Sequence, residues 1–88
     1  MIKIKFDKLR ELIIGGITTE ELNENYDYSN ISDMNSLCDN INFTEFPTIN
    51  MKYVFSAMNM FKDCINMTKI NLVNTENIVY TKQMFWGC

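Results

Sequence analysis

Ile2, Ile4 and Phe6 alternate with Lys3 and Lys5, the period-two pattern of a strand with one buried face, and predict a short strand over Met1 to Phe6. Asp7 can cap a following helix, in which Leu9, Leu12 and Ile13 form an apolar stripe that Gly15-Gly16 ends. Thr18, with Glu21 three residues on, has the spacing of a capping box, so a second short helix is expected to about Asn25. This strand-helix-helix piece, residues 1–26, has too few apolar side chains to stand alone and is expected to act as an N-terminal cap.

From residue 27 onward the apolar positions recur. Phe43 and Met67, Phe46 and Ile70, Ile49 and Val73, Asn50 and Asn74, Val54 and Ile78, Met60 and Met84, Phe61 and Phe85, and Cys64 and Cys88 are all 24 residues apart, without a gap. An earlier, degenerate copy runs from Asp27 to Leu37, its register slipping by about one residue before Phe43. In the last copy Ile70 and Leu72 alternate with Lys69 and Asn71 as in a strand. Asn74 to Asn77 is turn-forming, and Ile78, Thr81, Met84 and Phe85 lie on a helical stripe.

Met60-Phe61-x-x-Cys64, an apolar-Thr-x-Ile segment ending at Ile70, Asn74-Thr-x-Asn-Ile78 and Met84-Phe85-x-x-Cys88 together resemble the BspA-type leucine-rich repeat of bacterial surface proteins and lipoproteins, also found in protists and phages. Phe43 to Ile49 is similar to its proline-containing variant and Asn30 to Leu37 to its Asn-Val-x-x-Met-x-x-Met segment, so the resemblance covers residues 27–88. The pattern is departed from at Asn40 or Ile41, where the first copy's Cys would stand, at Ala57 and Thr81 in place of the inner Met, and at Tyr53 in place of an Asn. The resemblance implies an α+β fold: a short solenoid with a strand and a one-to-two-turn helix per repeat, two clear repeats and one degenerate, forming a single folding unit with its cap.

Charge adds a second pattern. The 88 residues carry a net charge of -3, but residues 1–10 contribute +3 and residues 46–88 contribute +2. The acids Glu11, Glu20, Glu21, Glu24, Asp27, Asp33, Asp39 and Glu45 lie between them with no Lys or Arg. Such a block is either a solvated face or a docking surface for a basic partner. The acidic balance argues against direct nucleic-acid binding. No His is present, which removes the Ser-His-Asp, Cys-His and HExxH arrangements. Gly15-Gly16 lacks the residues of a phosphate loop, so neither catalysis nor a cofactor is expected. Cys38, Cys64 and Cys88 lack CxxC spacing; no metal site is expected, and the repeat reads Cys64 and Cys88 as stacked core thiols and the Met-Phe pairs as core. Trp86 stands where the preceding repeat has Lys62 and is either an exposed aromatic or a plug over the last coil.

These features lead to a non-enzymatic protein-interaction module that docks through its repeat face and its acidic surface. The candidate partner-binding residues are Glu20, Glu21, Glu24, Asp27, Asp33, Asp39, Glu45 and Trp86. One rival is a phage-encoded inhibitor of a host defence nuclease, its acids competing with nucleic acid for a basic channel; another is a fragment of a bacterial surface repeat protein. With no leader pattern and no long apolar run, the expected location is cytoplasmic, in the host if phage-encoded. Homodimerisation through the last coil is a further expectation.

Overall fold

The computed structural model describes all 88 residues. The chain begins with strand β1 (Ile2–Lys3), helices α1 (Phe6–Ile14) and α2 (Thr19–Asn25), and strand β2 (Tyr26–Asp27), which lies parallel to β1 with Ile2 opposite Tyr26. Thr18 accepts a hydrogen bond from the Glu21 N–H, the expected cap of α2, and Gly16 takes a left-handed φ of 81° just past α1. Asp7 is not a cap: α1 starts one residue earlier, behind an extended Lys5 with no capping side chain, and Asp7 sits in the first turn, where its negative charge complements the positive end of the helix dipole. Of the expected buried face of β1, Ile4 is buried and Phe6 half-buried, whereas Ile2 is exposed.

Beyond β2 the chain makes three successive rungs in parallel register. Strands β3 (Ile49–Asn50) and β4 (Leu72–Val73) pair, and single bridges link Asp33 to Ser56, Ser56 to Tyr80, and Glu45 to Lys69. Each rung also contains a run of turns, at residues 35–40, 58–63 and 82–87. The first step between runs is thus one residue shorter than the second, the register slip expected from the sequence.

The helix expected in each repeat is not formed. Ser36, Asn59 and Gln83 at one position of the run, and Asn40, Asp63 and Gly87 four residues later, all have φ between 56° and 82°. Repeated left-handed residues break the succession of right-handed dihedrals that a helix needs. Alternate amides then go separate ways. The N–H groups of Met60, Lys62 and Cys64 bond back three residues within their own rung, while those of Ala57, Asn59, Phe61 and Asp63 donate to the carbonyls of Tyr80, Lys82, Met84 and Trp86 in the next. Met34, Ser36, Cys38 and Asn40 donate in the same way to Ser56, Met58, Met60 and Lys62. In the second run, alternate amides are therefore satisfied by the neighbouring rung and the others within the run itself.

Side chains repeat the ladder. Asn74 donates to Asn50 at 2.9 Å, Asn66 to Asn42, and the Thr68 hydroxyl to the Thr44 carbonyl at 3.2 Å, each across 24 residues. Inside, Phe61 and Phe85 stack with centroids 5.5 Å apart and planes 6° from parallel, and Phe46 meets Phe61 edge-on at 4.7 Å. Eighteen buried apolar residues from Ile4 to Met84 form one cluster, so Leu9, Ile13 and Leu22 of the two helices share a core with the rungs.

Cys64 donates its thiol to the Cys38 carbonyl and Cys88 to the Phe61 carbonyl, both at 2.9 Å, so each ties its rung to the one before. Cys38 and Cys64 are buried, and burial pushes both thiols above their ordinary pKa, further for Cys38. Cys88, expected in the core, is instead exposed on the third rung. A thiol reagent at neutral pH should therefore titrate Cys88 alone in the native protein and all three cysteines after unfolding in guanidinium; rapid reaction of two native thiols would contradict this packing.

Candidate protein-interaction surface

The acidic block separates into groups with different surroundings. Glu20, Glu21 and Glu24 are exposed on α2, with Glu20 and Glu24 one turn apart on the same side. None has a cationic partner, the molecule's one ion pair being Lys8 with Glu11 at 3.3 Å. The adjoining side of α2 is fastened to the second rung. Thr19 accepts from the Thr48 N–H at 3.0 Å, and the Asn23 amide donates to the Thr48 carbonyl at 3.0 Å. The Tyr28 hydroxyl donates to Asn23 at 2.6 Å and accepts from the Asn50 N–H at 2.9 Å, its pKa raised by burial. Through these bonds α2 satisfies the edge of β3 and carries its three glutamates as a fixed array.

Asp27 and Asp33 belong elsewhere. The Asp27 carboxylate accepts from the Ser29 hydroxyl and N–H, which lower its pKa, with smaller help from Lys3 and the terminal amine. Since the folded pKa is the lower one, its contribution to stability is present above the ordinary aspartate range and disappears as pH falls through that depressed value. Asp33 accepts from the Asn35 N–H and lines a groove of about 530 Å3 that also contains Lys3, Lys5, Ile4 and Ile31. These two aspartates fix turns and face basic residues. Asp39 is half-buried within the first turn run, and Glu45 is exposed opposite Lys69.

Trp86 is exposed, with the Lys62 ammonium 5.0 Å from its ring centre. Phe85 beside it is covered on one face by Phe61 and is 47% exposed, so the paired Met84 and Phe85 do not share one environment. Val79 and Tyr80 are also exposed on this rung.

Two features escape a reading of the sequence. Thr19 and Asn23, four apart on α2, are the anchor of the acidic helix; their i, i+4 spacing marks a polar side but not its acceptor. The division of the acids between α2 and the basic N-terminal strand depends on which rung each reaches. No group of three or more Cys, Asp and Glu side chains is placed to hold a metal ion, and no helix is long and apolar enough to cross a membrane. Comparison of the chain with family models, curated proteins and solved structures gives no match.

Proposed function

We propose that this chain is a non-enzymatic protein-binding module, a short solenoid of BspA-type repeats with an N-terminal cap, that works in the cytoplasm and recognises a basic protein surface through α2. The observation that carries this reading is the fixed, unpaired array of Glu20, Glu21 and Glu24. A rigidly held cluster of one sign loses little conformational entropy on docking and steers a partner of the opposite sign. Asp27 and Asp33, engaged in turns beside lysines, have no direct part in this interface.

The inhibitor reading draws on the same helix: three carboxylates on one turn and a half can occupy phosphate positions in a basic nucleic-acid channel. Both readings are tested by immobilising the wild-type chain and its Glu20→Lys, Glu21→Lys, Glu24→Lys variant and capturing partners at low and high salt. All three positions are exposed, so the variant should keep the wild-type circular dichroism and melting curve. Capture should fall by about tenfold or more and weaken with salt in the wild type. A partner that survives both high salt and the triple reversal would remove the acidic helix from the interface. A captured nucleic-acid-binding enzyme displaced by DNA or RNA would favour the inhibitor.

A further inference from the structure

A small pocket lies between α2, β2 and the second rung, outside the glutamate array. Three tyrosines line it, Tyr26 of β2, Tyr28 after it and Tyr53 of the second rung, together with the carboxylate-bearing Asp27; no Lys or Arg does. Its volume of about 190 Å3 is below the roughly 300–1,000 Å3 of sites that enclose a whole small molecule, and suits a single side chain. Tyr28 is a fixed wall: it is buried, and its hydroxyl is held between the Asn23 side chain and the Asn50 N–H. The Asp27 carboxylate receives both Ser29 bonds on Oδ1, at 2.6 and 3.0 Å, while Oδ2 has no hydrogen-bond partner. Lys3, opposite Asp27 in the β1–β2 register, and the amine of Met1, which also borders the pocket, act on Asp27 only from a distance. Neither pairs with it, the one ion pair of the molecule being Lys8 with Glu11. Tyr53 is 55% exposed and already draws a cation, the Lys52 ammonium standing 5.5 Å from its ring centre. That contact is at the surface and worth little, so an incoming ammonium can replace it.

We propose that this pocket takes the side chain of a lysine presented by a protein partner, its ammonium bonded to Asp27 Oδ2 and its alkyl stem lying against the tyrosines. Aromatic walls beside one carboxylate attract a cation and cover the apolar stem that carries it. Lysine fits better than arginine. A guanidinium is recognised through two parallel acceptors, and Oδ1 is already engaged by Ser29, whereas an ammonium is a point charge that one oxygen can hold. An apolar side chain would cover Oδ2 without giving it a donor, and an acidic one would meet a like charge. The pocket goes beyond the acidic-helix reading, because it selects one lysine where the glutamates of α2 attract a charged surface, and it does not depend on that reading.

The test adds an end-blocked Gly-Gly-Lys-Gly-Gly peptide, and the same peptide with norleucine or Arg in place of Lys, to the full chain in moderate salt. The Lys peptide should move the ring resonances of Tyr26 and Tyr53 and the Ser29 amide together. The norleucine peptide should move none of them, and the Arg peptide should bind more weakly than the Lys peptide. Asp27→Asn keeps an acceptor for Ser29, and with it the turn, and should weaken Lys binding by about tenfold. Tyr53→Ala should weaken it by about two- to fivefold. Replacing Glu20, Glu21 and Glu24 by Gln should change it by less than about twofold, since salt screens charges outside the pocket, so this site and the acidic helix can fail separately. The proposal falls if the norleucine peptide moves the same resonances as far, if the Arg peptide binds more tightly, or if Asp27→Asn binds like the wild type. Loss of binding in the Gln variant would also overturn it, by placing the lysine on α2.

Discussion

Replacing Phe61 by Ala should cost about 3–5 kcal/mol, the range for removing a buried aromatic side chain whose cavity cannot close. Phe61 is fully buried and central: it stacks on Phe85 of the next rung and meets Phe46 edge-on. A chain of this size has a total stability of about 4–13 kcal/mol at the usual 0.05–0.15 kcal/mol per residue, so one substitution removes a large share of it. Urea unfolding followed by circular dichroism should show a much lower midpoint, with a fraction already unfolded in buffer. Phe55→Ala serves as the control. Phe55 is 44% exposed and meets Tyr80 at 6.2 Å, so its loss should cost about 1 kcal/mol. Phe61→Leu keeps enough apolar volume to remain folded and should fall between the two. If Phe61→Ala unfolds at the wild-type midpoint, the aromatic stack does not hold the rungs together and the backbone ladder must carry the stability alone.

The periodicity of the chain was legible because each rung must place the same kind of side chain over its predecessor. Phe61 and Phe85, like Asn50 and Asn74, are neighbours in space because they are 24 apart in sequence. The slip before Phe43 was legible for the same reason, and it reappears as Asp33 opposite Ser56 but Ser56 opposite Tyr80. The helix expected at the end of each repeat was not formed because the spacing of Ile78, Thr81, Met84 and Phe85 suits either a helix or a run of turns. The deciding residues were Asn40, Asp63 and Gly87, which tolerate positive φ and recur at equivalent places. Their signal was present but is outweighed, in periodicity reasoning, by the apolar stripe. Among the candidate binding residues, the placement of Glu20, Glu21 and Glu24 on a short helix followed from the capping spacing of Thr18 and Glu21. The surroundings of Asp27 and Asp33 did not, since the lysines beside them come from β1 and the segment after it, more than twenty residues earlier.

Asn35→Ala should destabilise the protein by about 2–4 kcal/mol, mostly because it leaves buried polar groups without a partner. The Asn35 side-chain oxygen accepts from the Ser56 hydroxyl at 2.6 Å and from the Met58 N–H at 2.8 Å, while the Asn35 N–H donates to Asp33. Ser56 is 2% exposed, the one buried polar residue of the molecule, and bridges both Asp33 and Tyr80. With Asn35 gone the hydroxyl and the amide both lose their acceptor where water has little access, and the desolvation penalty of each is felt in full. Ser56→Ala removes one of these donors and should cost only about 1 kcal/mol. The double variant should then recover part of the Asn35→Ala loss, because the buried hydroxyl is no longer orphaned. A coupling energy of about 1 kcal/mol or more in this cycle, measured from urea midpoints at constant slope, identifies the bond as the junction between the first and second rungs. Additive losses would mean that Ser56 finds another acceptor when Asn35 is removed. The same cycle bears on the proposed function: α2 is fastened to the second rung at Thr48, so loosening the junction beneath it should also reduce capture by the glutamates of α2 before the chain unfolds globally.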